Sequence, residues 1–347
     1  MFTPVKSLEV TYKAPNRTNT FTNGDCISGQ VTLEVDKEYE IDSLSIKLEA
    51  KADVKWSEQL GYDISNYHSM AKYFSISHYF IQDKHCKDNR VVGLGRHVYP
   101  FTFQFPLQEM PSSFRGHDGK IVYLLEAILG RSMWLDKTDS TQINFVSKVD
   151  VTKDPGLMIP QHESKLDKRI LFASGTIIMD VKTEKTGYFQ GEGLVVVARI
   201  MNNSSREIKP KYCVYRKHSF FADGKRRLHT KYLLKEVGEP IPPSANKRVA
   251  RVITIPHHVE PSILNCSTIK VEYRLRAPAV GPPPVSPSKA AFKASPHASA
   301  SKASSNPNPP VQDVLPPQQP SEPEPSDPPP SYDECALCPF MMDYGNK

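Results

Sequence analysis

The stretch Tyr99-Pro100-Phe101-Thr102-Phe103-Gln104-Phe105-Pro106 sets four aromatic rings two residues apart and ends on proline. A spacing of two is the strand period, so these rings share one face of an extended segment. Pro106 closes the run because it has no N–H to give to a β-ladder. Pro111-Ser112-Ser113-Phe114 follows, and then the apolar run Ile121-Val122-Tyr123-Leu124-Leu125. The same order recurs downstream: Arg251-Val252-Ile253-Thr254-Ile255-Pro256, then Pro261-Ser262-Ile263-Leu264, then Ile269-Lys270-Val271-Glu272-Tyr273. Upstream, Phe21-Thr22-Asn23-Gly24-Asp25 is echoed by Tyr188-Phe189-Gln190-Gly191-Glu192, each a tight turn feeding an alternating strand. With the proline-ended run and its Pro-Ser sequel taken as one match, three matches in one order imply two copies of a single β-sandwich.

Alternation dominates elsewhere up to Arg276. Ile27, Gly29, Val31, Leu33 and Val35 share a face, as do Leu44, Ile46 and Leu48, and Ile143 to Val146 forms another strand. Further strands are expected over Thr176–Val181, Leu194–Ile200, Lys211–Phe221, Arg227–Val237, Val249–Ile255 and Thr268–Arg276. Residues 57–72 fit no template and admit a short helix near Glu58. No window carries a helical stripe of useful length, so the expected fold is all-β: two immunoglobulin-type sandwiches in tandem. The boundaries read as 1–152 for the first, 153–168 for a polar linker and 169–276 for the second. In the first copy the Tyr123 strand is followed by a closing strand, Thr141 to Val146. The Tyr273 strand instead runs into Ala277-Pro278, so the second copy is expected to lack its last strand and to leave an open sheet edge.

From Ala277 to Pro330 the chain holds 17 of its 31 prolines, with Ser, Ala and Asn and hardly an aromatic. Such a segment buries too little apolar surface to offset its ordering entropy, so 277–347 is expected to be a disordered tail. The tail carries Pro329-Pro330-Ser331-Tyr332. A proline pair is already close to polyproline II geometry, and WW domains receive such rings in an aromatic groove, with the tyrosine as a second anchor. Proline-rich spacer is the plainer reading of four residues taken alone.

The net charge of +6 is unevenly shared: residues 1–164 carry −3, 165–276 carry +12 and 277–347 carry −3. The basic clusters Arg216-Lys217, Lys225-Arg226-Arg227 and Lys247-Arg248 suit an anionic phospholipid surface or a phosphorylated peptide, or form a solvated face. Nucleic acid is not expected, because no base-stacking aromatics interleave with them. The apolar runs, such as Leu194 to Ala198, are far shorter than a membrane-spanning helix, and the start shows no signal-peptide pattern. Six scattered cysteines fit reduced thiols in an intracellular protein. Cys335 and Cys338 form a C-x-x-C without a second pair, so surface thiols are the plain reading and lipidation of this apolar end the sharper one. No metal, cofactor or catalytic constellation is expected. His257-His258 lies in a proline-bounded turn, and Gly93-Leu94-Gly95 and Gly191-Glu192-Gly193 lead into strands, not helices.

Taken together, Gly24-Asp25-Cys26-Ile27-Ser28-Gly29, Pro100 to Leu107 with Pro111-Ser112-Ser113-Phe114, Pro261-Ser262-Ile263-Leu264 with Ile269 to Tyr273, and the Pro-Pro-x-Tyr tail resemble the alpha-arrestin (arrestin domain-containing) family. The resemblance implies two arrestin-type sandwiches and a non-enzymatic adaptor. Its members bind WW domains of Nedd4-type ubiquitin ligases and bring them to membrane receptors or transporters, promoting ubiquitination, endocytosis and endosomal sorting. By that analogy Pro329, Pro330 and Tyr332 bind the WW domain. The protein would be cytoplasmic and peripheral to plasma membrane and endosomes. The family usually carries two such motifs, and here only one matches. Thioredoxin binding, known within the family, uses a cysteine shortly before the Pro-Ser-Ile-Leu stretch. No cysteine lies between Cys213 and Cys266, so it is not implied here.

Overall fold

Strands account for nearly all regular structure in the computed structural model, which describes residues 4–82, 91–132, 134–148, 154–167, 175–277, 279–280 and 337–342. In chain order the first half carries β1 (Val5–Tyr12), β2 (Thr20–Phe21), β3 (Cys26–Val35), β4 (Tyr39–Glu40), β5 (Ser43–Leu60) and β6 (Asp63–Gln82). It continues with β7 (Val91–Val92), β8 (Gly95–Gln104), β9 (Phe114–Arg115), β10 (Gly119–Gly130) and β11 (Lys137–Phe145). The second half carries β12 (Gln161–Asp167), β13 (Gly175–Thr183), β14 (Gly187–Phe189), β15 (Gly193–Ser204) and β16 (Lys209–Ala222). Then come β17 (Lys225–Val237), β18 (Ala245–Thr254), β19 (Ile269–Arg276), β20 (Ala279–Val280) and β21 (Leu337–Met342).

Each half is a two-sheet sandwich. The first pairs the sheet β1-β3-β8 with the sheet β2-β11-β10-β5-β6; the second pairs β12-β13-β15-β18 with β14-β21-β19-β16-β17. The alternating faces read from the sequence point inward: Ile27, Val31, Leu33, Val35, Phe101, Phe103 and Phe105 are buried, as are Leu44, Ile46 and Leu48. Residues 57–72 are not helical. They form the long β5–β6 hairpin, turning at Gly61, and Trp56 stacks on Tyr67 across it at 5.1 Å. Ser65, Ser69 and Ala71 take half-buried positions while Ile64 and Met70 are exposed, so the alternation of β6 does not follow hydrophobicity.

The duplication holds at atomic detail. Thr22 N–H donates to Asp25 Oδ2 at 2.7 Å, and Phe189 N–H donates to Glu192 Oε2 at 2.8 Å. Gly24 and Gly191 both sit at positive φ in these turns, where a side chain would be strained. The Tyr123 hydroxyl donates to Pro111 O at 2.7 Å, and the Tyr273 hydroxyl to Glu260 O at 2.5 Å. Gly29 has a different role: a Cβ there would stand 2.1 Å from Thr11 O and 2.7 Å from the Phe101 ring. Only glycine lets β1 lie down on β3 at that point.

Two expectations are corrected. The segment 153–168 is not a linker throughout, because 161–167 forms β12 and pairs antiparallel with β13. An edge strand has one neighbour and tolerates polar residues on both faces, so it lacked the alternation that marks buried strands. The second sandwich also has a closing strand. Leu337–Met342 fills the slot between β14 and β19, with Gly187 opposite Pro339 and Tyr273 opposite Phe340. Its direction is reversed relative to the first copy. There β11 runs antiparallel to β10 and parallel to β2, whereas β21 runs parallel to β19 and antiparallel to β14. A short hairpin connects β10 to β11 and enforces the antiparallel sense. A strand that returns after some 56 residues (281–336) can enter from either end.

Glu49 on β5 is nearly buried and ringed by amines: Lys47 Nζ at 2.6 Å, Lys72 Nζ at 3.0 Å and Lys51 Nζ at 3.4 Å. Burial pushes its carboxyl up, but hydrogen bonds from Lys47 and Lys72 more than offset that and hold it at about 2. The folded value lies below the ordinary one, so the stabilisation is complete above the ordinary carboxylate range and is lost as pH falls from there towards 2. Glu49→Gln is therefore expected to cost on the order of 2 kcal/mol at neutral pH, allowing for solvent around the lysines. The difference from wild type should shrink as pH falls through 4 and vanish only below about 2. Urea midpoints measured across that range check it.

Candidate functional site

The two sandwiches meet along one seam, and the apolar core runs through it unbroken. On one side lies the turn from β9 into β10, Gly116-His117-Asp118-Gly119, closed by Gly116 N–H to Gly119 O at 2.8 Å. A Cβ on Gly116 would sit 2.7 Å from the Phe220 ring of β16, and one on Gly119 would sit 3.1 Å from Ile269 Cδ1 of β19. Both glycines therefore bring the turn hard against the second sandwich. Phe114 adds an edge-on contact with the His218 ring at 5.0 Å. The β5–β6 hairpin reaches the β16–β17 turn, where Asp223 Oδ2 accepts from His68 N–H at 3.1 Å.

At the centre of the seam the buried Asp118 carboxylate gathers three cationic or potentially cationic groups. Its Oδ1 lies 2.8 Å from His117 Nδ1, and its Oδ2 lies 2.5 Å from His229 Nε2 and 3.5 Å from Arg227 Nε. Burial pushes the carboxyl up, but the hydrogen bonds from His117 and His229, with the Arg227 charge, bring it below the ordinary range. Asp118 is thus an anion at neutral pH, shared between a residue beside it and two on β17. His218, directly opposite His229 in the β16–β17 ladder, is almost fully buried. Burial and the Arg216 charge push its pKa down to about 4, so the ring is neutral, and its Nε2 has no hydrogen-bond partner among the described residues. A cavity of about 320 Å³ opens beside these groups, lined from the first sandwich by Arg115 and His117 and from the second by His218, His229, Lys231 and Glu260.

The basic residues read from the sequence divide. Arg216 is bound by Glu260, Lys217 Nζ lies 3.5 Å from Glu272, and Arg227 belongs to the Asp118 cluster. Arg226 donates to Ser219 Oγ at 2.9 Å and covers the Phe221 ring. Lys225 is exposed at the β16–β17 turn, while Lys247 and Arg248 are exposed on β18, in the other sheet. Lys225, Lys247 and Arg248 have no acidic partner among the described residues. His257, expected in a plain turn, lays its ring over Gly191, where a Cβ would come within 2.1 Å of it. Pro329, Pro330 and Tyr332 lie outside the described residues, as does Cys335; Cys338 is in β21, opposite Tyr188. Among the described residues no helix is long and apolar enough to cross a membrane.

The seam cluster was not singled out from the sequence. His229 lies 111 residues from Asp118, and neither side has a ligand-like local spacing. The turn Gly116-His117-Asp118-Gly119, held between two strands, was the signal available.

Comparison with known proteins agrees with this architecture. Residues 9–152 match the arrestin (or S-antigen) N-terminal domain, and residues 173–287 match the arrestin (or S-antigen) C-terminal domain. Arrestin domain-containing protein 4 of Mus musculus is 28% identical over 280 residues, covering 78% of this chain and 67% of its own length. The chain belongs to the alpha-arrestin family. This alpha-arrestin is similarly 28% identical over 280 residues to arrestin domain-containing protein 4 of Homo sapiens, covering 78% of this chain and 66% of that one. It is 25% identical over 293 residues to the thioredoxin-interacting protein of Homo sapiens, covering 79% and 70%. The chain spans about two thirds of the length of the first two relatives. The doubled turns, the doubled tyrosine hydroxyl bonds and the close approach at Gly29 are the physical content of the alpha-arrestin pattern in this molecule.

Proposed function

We propose that this alpha-arrestin is an adaptor, not an enzyme. Its Pro329-Pro330-Ser331-Tyr332 stretch binds WW domains of Nedd4-type ubiquitin ligases. Its paired sandwiches hold a membrane receptor or transporter, which is ubiquitinated, internalised and sorted through endosomes. Family membership supports the adaptor class. The observation that carries the finer reading is the distance from motif to body: Tyr332 precedes the docked strand β21 by only four intervening residues, a reach of at most about 18 Å. A ligase bound there is held close to whatever the second sandwich carries.

Tyr332 is the large anchor in such a peptide, and losing a central aromatic anchor costs 2 kcal/mol or more. Tyr332→Ala is therefore expected to weaken capture of an isolated Nedd4-type WW domain by about 30-fold or more. Binding unchanged by this substitution removes the adaptor reading. The exposed Lys225, Lys247 and Arg248 favour a second reading, a ligase-independent trafficking role on anionic membrane. That role requires binding to phosphatidylserine vesicles that falls steeply with salt.

A further inference from the structure

We propose that His117, Asp118 and His229 form a binding site for a zinc-class divalent metal ion, which clamps the two sandwiches together at their seam. One imidazole nitrogen from each histidine and a carboxylate oxygen lie within 4.8 Å of one another. Tetrahedral coordination with bonds near 2.0–2.1 Å sets ligand atoms about 3.3 Å apart. The present contacts of 2.8 Å to Oδ1 and 2.5 Å to Oδ2 would open by less than about 1 Å, and donors as far apart as 4.8 Å would close by about 1.5 Å, to reach that spacing.

The donor set selects the metal. Two imidazoles with one carboxylate suit zinc and its transition-metal neighbours, whereas calcium and magnesium prefer all-oxygen shells. His218 stands beside this set, outside the donors that lie within 4.8 Å of one another. It is the ladder partner of His229, lines the same cavity, and keeps a buried Nε2 without a hydrogen-bond partner among the described residues. Burying such a nitrogen without a partner is costly, and a neutral imidazole is the form that binds metal. The site takes donors from both domains, so an ion bound there crosslinks them. Arg227, 3.5 Å from the same Asp118 oxygen, opposes the ion by its charge and sets the affinity lower than the donors alone would give.

The test is titration of the tag-free full chain with Zn²⁺ by calorimetry and with Co²⁺ by visible absorption. Wild type should bind one equivalent saturably and show d–d bands of a low-symmetry, four-coordinate cobalt site. His117→Ala removes an exposed side chain and should leave the fold intact; it and His229→Ala should each weaken binding at least tenfold. Arg227→Gln should strengthen it. Zinc should raise the thermal midpoint of wild type but not of the His117→Ala/His229→Ala double variant. Absence of one-equivalent binding overturns the proposal. So does binding that is indifferent to both histidine substitutions, which marks adventitious surface histidines.

Discussion

Deletion of residues 337–347 should lower the stability of the second sandwich by about 3 kcal/mol while leaving the first unchanged. The strand β21 is paired on both sides, to β14 and to β19, so its loss unpairs both strands and leaves a gap between them. Several ladder hydrogen bonds at about 1 kcal/mol each exceed that figure in gross terms. The closure entropy of the long return loop reduces the net. Closing some 56 residues costs about 2 kcal/mol more than closing the six of the β10–β11 connection. Domain-resolved hydrogen exchange checks this, because protection should fall in β14 and β19 and persist in β10. A synthetic peptide spanning 331–347, added in excess, should restore the protection. Unchanged exchange in the deleted protein would mean that β21 does not complete the sandwich.

Gly29→Ala should be the most damaging single substitution in the first sandwich, at about 3 kcal/mol or more. Its Cβ would meet the carbonyl oxygen of Thr11 at 2.1 Å and Tyr12 Cα at 2.9 Å. These are backbone atoms of the neighbouring strand, with no rotamer to move away. Either β1 lifts from β3, losing the register from Val5–Val35 to Tyr12–Gly29, or the whole edge shifts and disturbs Phe101 behind it. Ordinary overpacking costs 1–3 kcal/mol when side chains can yield, and this case lacks that relief. Gly93→Ala is the matched control: nothing lies within 4 Å of its added methyl, so its effect should stay within about 0.5 kcal/mol. Denaturant midpoints of the two variants distinguish a steric clash from a general intolerance of alanine.

Much of the fold was legible because its central strands alternate cleanly. Tyr99, Phe101 and Phe103 announced β8, and Tyr123 and Tyr273 announced matching strands whose hydroxyls turn out to make matching bonds. What escaped was of two kinds. Strands with little to bury carry no clear hydrophobic period: β12 is exposed along most of its length, and in the outer part of β6 small or polar residues such as Ser65 and Ser69 take the half-buried positions while Ile64 and Met70 are exposed. The closing strand β21 escaped because a proline at 339 and a proline-rich approach argue against a ladder. Opposite Gly187, however, the missing N–H is tolerated by a short, mixed-direction pairing. The seam cluster is illegible for a third reason. Its members come from two domains, and no local rule links His117 and Asp118 to His229.

The reversed closing strand also has a consequence for biogenesis. The first sandwich can be sealed as soon as residue 145 leaves the ribosome, because β11 follows β10 directly. The second must wait, with β14 and β19 unmatched, until residue 342 has been made. At ordinary translation speeds the stretch after β20 takes about 3–12 s. During that interval the nascent chain displays a receptive groove, which suits a holding chaperone or invites mispairing with a neighbouring polysome product.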